Sequence, residues 1–210
     1  MWLIVGLGNP GSEYAQSRHN VGFVVLDELA RRQHRRIRRR RWESLYAEGR
    51  VGREPIALVK PLSLMNQSGW PVKAWLEKWS VPSERLVVVH DDLDLAFGRI
   101  KVLARGGHGG HRGVHDIQEA IETVAFPRVR VGIGRPDHGD EVRFVLSPFD
   151  EVELRGLPEL VGRAADAVEE IVEGGVGSAM NRFNVRRRFG GRREPAEPSP
   201  EEVRGCQSTR

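Results

Sequence analysis

The sequence predicts a single α/β domain, built on a twisted, mixed, mostly parallel sheet with helices on both faces. Three observations predict it. Short apolar runs alternate with segments of helical periodicity along most of the chain. The runs at 2–7 and 86–89 are apolar throughout, as strands buried on both faces are. The length of 210 residues, with 39% hydrophobic and 30% charged content, suits one domain with a substantial core.

The elements follow in order. Residues 2–7 read as a buried strand. Val21, Val24, Val25 and Leu29 then recur at helical spacing. A charge run, Arg35 to Arg41, separates that helix from two strands at 45–51 and 55–60, which are joined by a turn at Gly52-Arg53-Glu54. Val72, Trp75, Leu76 and Trp79 predict a second helix. Leu86 to Val89 is the central strand, and its polar continuation places Asp91 and Asp94 in a turn beyond the strand end. A short strand is expected at 99–103. Ile117, Ala120, Ile121 and Val124 form a helical stripe, and Val129 to Ile133 a late strand. Leu157, Leu160, Val161, Ala164, Val168, Ile171 and Val172 make the clearest helix, ended by Gly174-Gly175. A short helix is expected around 178–182. There is no internal repeat. The domain is expected to span 1–189, and the proline-, glutamate- and arginine-rich segment 190–210 to be a disordered tail.

Bulk properties narrow the classes of function. No apolar run reaches the roughly 20 residues of a membrane span. Met1-Trp2-Leu3-Ile4-Val5 lacks the basic start and cleavage site of a secretory signal. The single cysteine, Cys206, excludes a disulfide frame. These features predict a cytoplasmic protein with no membrane partner. The formal net charge is +4, and of 33 basic residues only Lys60, Lys73, Lys78 and Lys101 are lysines. An arginine-rich basic chain suits a phosphate-bearing partner, although genome composition alone can produce the same bias.

Two distant polar segments carry the chemistry. The first runs from Gly6-Leu7-Gly8-Asn9-Pro10-Gly11 through Tyr14 to Arg18-His19-Asn20. Its glycine spacing matches a dinucleotide fingerprint with Asp27 at a plausible distance. Pro10, however, removes an N–H from the loop that should cradle a pyrophosphate. The segment reads better as a sharp turn exposing Asn9. The second is His90-Asp91-Asp92-Leu93-Asp94, followed by the loop Arg105-Gly106-Gly107-His108-Gly109-Gly110-His111-Arg112-Gly113. Both follow strands, and strand ends are where ligands collect in such sheets. His19 is the candidate base, since a neutral imidazole can take a proton from water near neutral pH. A carboxylate of the second segment would fix its tautomer. The glycine loop precedes a helix and suits ligand contact. Asn66, before the Trp75 helix, reads equally as a helix cap or as an amide that polarises a carbonyl. No HExxH or other fixed ligand spacing supports a metal. No GxSxG elbow supports an acyl-enzyme, and Cys206 lies in the expected tail. Direct attack by water is the chemistry that remains.

Taken together these residues resemble the bacterial-type peptidyl-tRNA hydrolase family. The matching stretches are Ile4 to Tyr14, Arg18 to Gly22, Met65 to Gly69, His90 to Leu95, Gly106 to His111 and Arg130 to Pro136. The similarity runs from Trp2 to about Asn184. The resemblance implies hydrolysis of the ester between a peptide and the 3′ ribose of tRNA, with His19 as general base and Asp91 orienting it. It implies that Asn9 and Asn66 contact the peptide end, that Asn9 helps reject free aminoacyl-tRNA, and that Tyr14 lines the tRNA end. It also implies a monomer with no cofactor, no metal and no obligate protein partner. Substrate and tRNA contacts are assigned to Tyr14, Leu64, Asn66, Lys101, Arg105, His111, Arg112 and Arg130. Three positions depart from the family pattern. Arg112 replaces a usual asparagine and cannot accept a hydrogen bond. Leu64 replaces a common aromatic. Leu103 replaces a frequent lysine, for which Lys101 and Arg105 could compensate. The alternative is a non-catalytic RNA-binding relative, motivated by Arg112 and the excess of arginine.

Overall fold

In a computed structural model, residues 1–136 and 138–184 are described. The sheet is built around β1 (Trp2–Gly6), whose side chains alternate between two cores. Ile4 joins a cluster with α1 (Val21–Arg32) and α5 (Glu151–Gly174). Leu3 and Val5 join the opposite cluster, with α2 (Gly69–Trp79) and α3 (Arg112–Ile121). β4 (Glu54–Pro61) and β5 (Leu86–Asp92) flank β1 in parallel register, with Val5 opposite both Val59 and Val88. β7 (Arg128–Gly132) pairs parallel to β5. These four strands send their C-terminal ends to one edge. Outside them, β2 (Arg39–Arg41), β3 (Ser44–Val51) and β6 (Ile100–Leu103) each run antiparallel to their neighbours. The order is β2-β3-β4-β1-β5-β7-β6.

Two glycines set the depth of the first crossover. A Cβ on Gly6 would lie 2.3 Å from the Gly22 carbonyl, and one on Gly22 would lie 2.5 Å from that of Val89. Helix α1 therefore sits almost on the backbone of β1 and β5, which brings the turn before it close to the end of β5. On the other face, Trp75 is buried between Trp42, Tyr46 and Trp79 at centroid distances of 4.7, 4.6 and 4.7 Å. The edge strand β6 is blunted by a side chain: Asn184 Oδ1 accepts from the Val102 N–H at 2.7 Å, and its Nδ2 donates to the Val102 carbonyl at 3.0 Å.

Several boundaries differ from the sequence reading, for physical reasons. β5 continues through His90 and Asp91 to Asp92, all buried; Asp91 is thus a strand residue and not part of a turn. Polar side chains can stay in a buried strand here because each finds a partner at the sheet edge. Asp94 does lie in the following turn. The third helix ends at Ile121, and Val124 lies beyond it, exposed, after Glu122 turns left-handed. The charge run contains a strand, β2, because Arg39 to Arg41 pair with Ser44 to Tyr46. Helix α4 (Glu141–Leu146) was not expected; it is too short for its periodicity to register. α6 (Val176–Phe183) extends the expected short helix. The segment expected to be a tail, 190–210, lies outside the described residues, as do 185–189.

Candidate active site

The ends of β1, β4 and β5 open into a cleft of about 420 Å³. Asn9, His19, Leu64, Asn66, Asp91, His111 and Arg112 line it, together with His90 and His108. Segments far apart in the chain, from Asn9 to Leu146, meet here because the parallel strands deliver their ends to the same edge.

His19 sits in a 3-10 turn, Arg18–Asn20, directly before α1. Its Nδ1 lies 2.8 Å from Oδ1 of Asp91. The same oxygen lies 3.0 Å from Nε2 of His111. Burial disfavours ionisation of Asp91, but the imidazoles of His19 and His111 outweigh it and hold its carboxyl far below the usual range. Asp91 is therefore an acceptor, so His19 Nδ1 carries a proton and Nε2 keeps its lone pair. That Nε2 has no partner among the described residues. The tautomer of His111 is set independently. Its Nδ1 accepts from the Val114 N–H at 3.3 Å, capping α3, so its Nε2 is the donor to Asp91.

Asn9 is fixed from two sides. Its N–H donates to Asn20 Oδ1 at 2.7 Å, and Asn20 Nδ2 donates back to its carbonyl at 2.9 Å. Its side-chain oxygen accepts from the Met65 N–H at 2.9 Å. The amide therefore has one orientation, and its NH2 faces the cleft without a partner among the described residues. Asn66 is exposed in a 3-10 turn, Met65–Gln67, and lines the cleft. It caps no helix, since Ser68 occupies the N-cap position of α2.

Two arginines that sequence reasoning did not assign support this arrangement. Arg18 is buried and grips Glu153 with Nε at 3.4 Å and Nη2 at 2.5 Å. It also donates to Ser147 Oγ and to the Pro148 carbonyl at 2.6 Å, and stacks on Phe144 at 4.2 Å. Glu153 simultaneously closes the capping box of α5. The turn bearing His19 is thus bolted to α4 and α5. Arg128 is buried and donates to the carbonyls of Gly106 and Gly107 at 2.7 and 2.8 Å. It pins the glycine loop, where Gly109 and Gly110 take positive φ values of 59° and 81°. His90, buried behind the site, donates from Nδ1 to the Asp91 carbonyl at 2.7 Å and meets the His111 ring edge-on at 4.6 Å. Histidine next to the predicted aspartate was the only sequence signal for it.

The other expected contacts fall elsewhere. Arg112, first residue of α3, is exposed at the rim of the cleft, and Leu64 is exposed opposite. Tyr14 is half-buried and does not line the cleft. Lys101 and Arg105 are exposed on and after β6, away from it. Arg130 lies opposite Lys101, and its guanidinium is ion-paired with Asp92, so its charge is already committed. Asp27 pairs with Lys60 at 2.5 Å, which accounts for it without a ribose.

The atoms of His19, Asp91 and His111 that face one another lie within 4.8 Å, a spacing that two N–H···O bonds to one carboxylate explain. An ionised acceptor, a histidine with a free lone pair and two amides at the mouth of a cleft can activate water and stabilise an oxyanion.

Known proteins resemble this chain in sequence and in fold. The family profile described as peptidyl-tRNA hydrolase matches residues 3–190. A peptidyl-tRNA hydrolase of Caldanaerobacter subterraneus is 44% identical over 184 residues, 88% of this chain and 100% of the relative. One from an Arthrobacter species is 45% identical over 187 residues, covering 88% and 96%. The crystal structure of peptidyl-tRNA hydrolase from Acinetobacter baumannii superposes with a TM-score of 0.82 at 35% identity, covering 88% of this chain and 95% of that one. With its sequence matched almost end to end and its fold shared, the chain belongs to the peptidyl-tRNA hydrolase family.

Proposed function

We propose that this cleft hydrolyses the ester between a peptide and the 3′ ribose of tRNA, with His19 activating the attacking water. The observation that carries the reading is the 2.8 Å contact of His19 Nδ1 with Asp91, which leaves Nε2 free at the cleft. Water gives its proton to Nε2 as its oxygen bonds to the ester carbonyl carbon. The negative charge of Asp91 stabilises the imidazolium that forms. The NH2 groups of Asn9 and Asn66 donate to the carbonyl oxygen as it becomes an oxyanion. Collapse breaks the bond to the ribose 3′ oxygen, which takes the proton back from His19. Peptide and tRNA leave, and the histidine is restored.

Arg112 at the rim suits a phosphate of the tRNA end, since its guanidinium offers donors only. We place Lys101 and Arg105 on tRNA phosphates farther from the chemistry and Tyr14 beside the tRNA end, and assign Arg130, through its ion pair with Asp92, to holding the end of β5. A cytoplasmic monomer that needs no cofactor is the setting we propose. No helix among the described residues is long and apolar enough to cross a membrane.

Hydrolysis of N-acetyl-aminoacyl-tRNA beside unblocked aminoacyl-tRNA tests the proposal. Wild type is expected to cleave the blocked substrate selectively, and His19→Ala to bind tRNA without turnover. A fully active His19→Ala chain would sink the assignment. No cleavage by wild type, restored by Arg112→Asn, would instead identify an RNA-binding protein disabled at one position.

A further inference from the structure

We propose that the arginine run Arg35–Arg41, at the far edge of the sheet, is a docking surface for the RNA phosphate backbone. It would grip the tRNA arm behind the reacting 3′ end, so the inference rests on the reading of the cleft given above.

Charge is the first argument. Arg35, Arg36, Arg38, Arg40 and Arg41 are all exposed, and none is ion-paired among the described residues. Elsewhere Arg18, Arg31, Arg32, Arg85, Arg130, Arg135 and Arg182 each hold a carboxylate. Five exposed arginines without a carboxylate partner thus fall within one stretch of seven residues. Self-repulsion of this kind is relieved by an anionic partner.

Geometry is the second. Arg39, Tyr46, Val59, Val5 and Val88 form one row of register partners across the sheet. Two residues farther along, Arg41 is level with His90, on the edge that carries the cleft. Four strand spacings of about 4.8 Å separate β2 from β5, roughly 19 Å in all. At about 3.4 Å per nucleotide that is on the order of six nucleotides from the reacting end. A substrate with its 3′ end at His19 can thus lay phosphates of its arm on this strand.

Shape and stacking are the third. The Arg41 guanidinium lies 4.0 Å over Trp42, and that of Arg39 lies 4.5 Å over Tyr46. Stacking leaves the N–H edge of Arg41 free for a phosphate at reduced entropic cost. Beyond Arg39 the surface is concave, lined by His34, Arg35, Arg36, Arg38 and Glu48. Charges on an edge strand also block edge-to-edge pairing. That role accounts for Arg40 in β2, but not for three arginines ahead of the strand.

The test uses the full chain and two variants, with all five unpaired arginines changed to Gln or to Lys. Binding of deacylated tRNA is followed against salt, and hydrolysis of blocked aminoacyl-tRNA is measured separately. The Gln variant is expected to bind about tenfold more weakly near 0.1 M salt, with a log–log salt slope shallower by about 2. The Lys variant should stay close to wild type. KM should rise with kcat unchanged, and a blocked 3′-terminal fragment too short to reach β2 should keep its wild-type KM. Equal affinity and slope for the Gln variant would overturn the proposal, as would a rise in KM for the short fragment. If wild type binds tRNA but cleaves nothing, the reading of the cleft fails, and the binding comparison still decides the role of the run.

Discussion

His19 and His111 donate to the same oxygen, Oδ1 of Asp91, from 2.8 and 3.0 Å on two separate chain segments. The two bonds are not equivalent. His111 is locked by the Val114 N–H at its other nitrogen, whereas His19 keeps its second nitrogen for the substrate. One carboxylate therefore serves a working histidine and a structural one. Asp91→Asn keeps an oxygen for both N–H groups but removes the charge that stabilises the imidazolium. We expect kcat to fall by about 10²–10⁴ with tRNA affinity little changed. His111→Asn leaves the His19–Asp91 bond in place and should cost only about tenfold. Single-turnover rates for the two variants check the order, and a reversed order would move the base role to His111.

Asn9 offers an isosteric test. Its oxygen is held by the Met65 N–H at 2.9 Å, so only its NH2 is available to the cleft. Asn9→Asp keeps the structural acceptor and replaces the donor with a second oxygen. The unpaired carboxylate at this buried position should cost about 1–3 kcal/mol of stability, while kcat falls about 10²-fold, the usual cost of one oxyanion donor. Melting temperature and initial rates measure the two effects separately. Equal rates would exclude Asn9 from the oxyanion site.

Much of this site was legible because its residues sit at strand ends, where turn chemistry shows in the sequence. Asn9, His19, Asn66 and His111 could be picked out from glycine-flanked polar clusters following apolar runs. The extent of β5 could not. A strand ending His90-Asp91-Asp92 reads as a turn until its partners are known, and those partners are 72 and 20 positions from Asp91. Arg18 and Arg128 were invisible for a similar reason. A buried arginine looks like a surface arginine in sequence, because burial depends on distant groups such as Glu153 and the Gly106 carbonyl. Lys101 and Arg105 show the converse: charge near a motif does not place a side chain in the cleft.

Arg18 carries stability and position together. Breaking a buried ion pair by removing one partner costs about 3–5 kcal/mol, because the other charge stays behind. Arg18→Met should therefore lower the urea midpoint strongly and leave Glu153 without its counter-charge. The double variant Arg18→Met/Glu153→Gln should recover part of the loss, even though it weakens the capping box of α5. A double-mutant cycle measures the coupling. Strict additivity would show that Arg18 acts through Ser147, Pro148 and Phe144 and not through Glu153.

Acid sensitivity should begin with His90. Burial, reinforced by the neighbouring His111 ring and partly opposed by the charge of Asp91, holds its imidazole well below the usual value of 6.5. The folded chain therefore keeps His90 neutral where the unfolded chain protonates it. Below pH 6.5 the unfolded state binds the extra proton, so stability falls as pH falls, by up to about 1.4 kcal/mol per unit for this one group. Asp91 works in a lower window. Its depressed folded value stabilises the fold above the ordinary carboxylate value of 3.8, and that contribution is lost only as pH drops below it. Between pH 6.5 and 5 the slope thus reports histidines and not Asp91. His90→Asn can still donate to the Asp91 carbonyl but has no proton to take up. Its urea midpoint should start lower at pH 7.5, from lost packing, and then decline less than wild type down to pH 5. Parallel decline in the two chains would assign the acid sensitivity to another histidine. A shallower line for His90→Asn would show that the imidazole behind Asp91 is kept neutral by the fold itself.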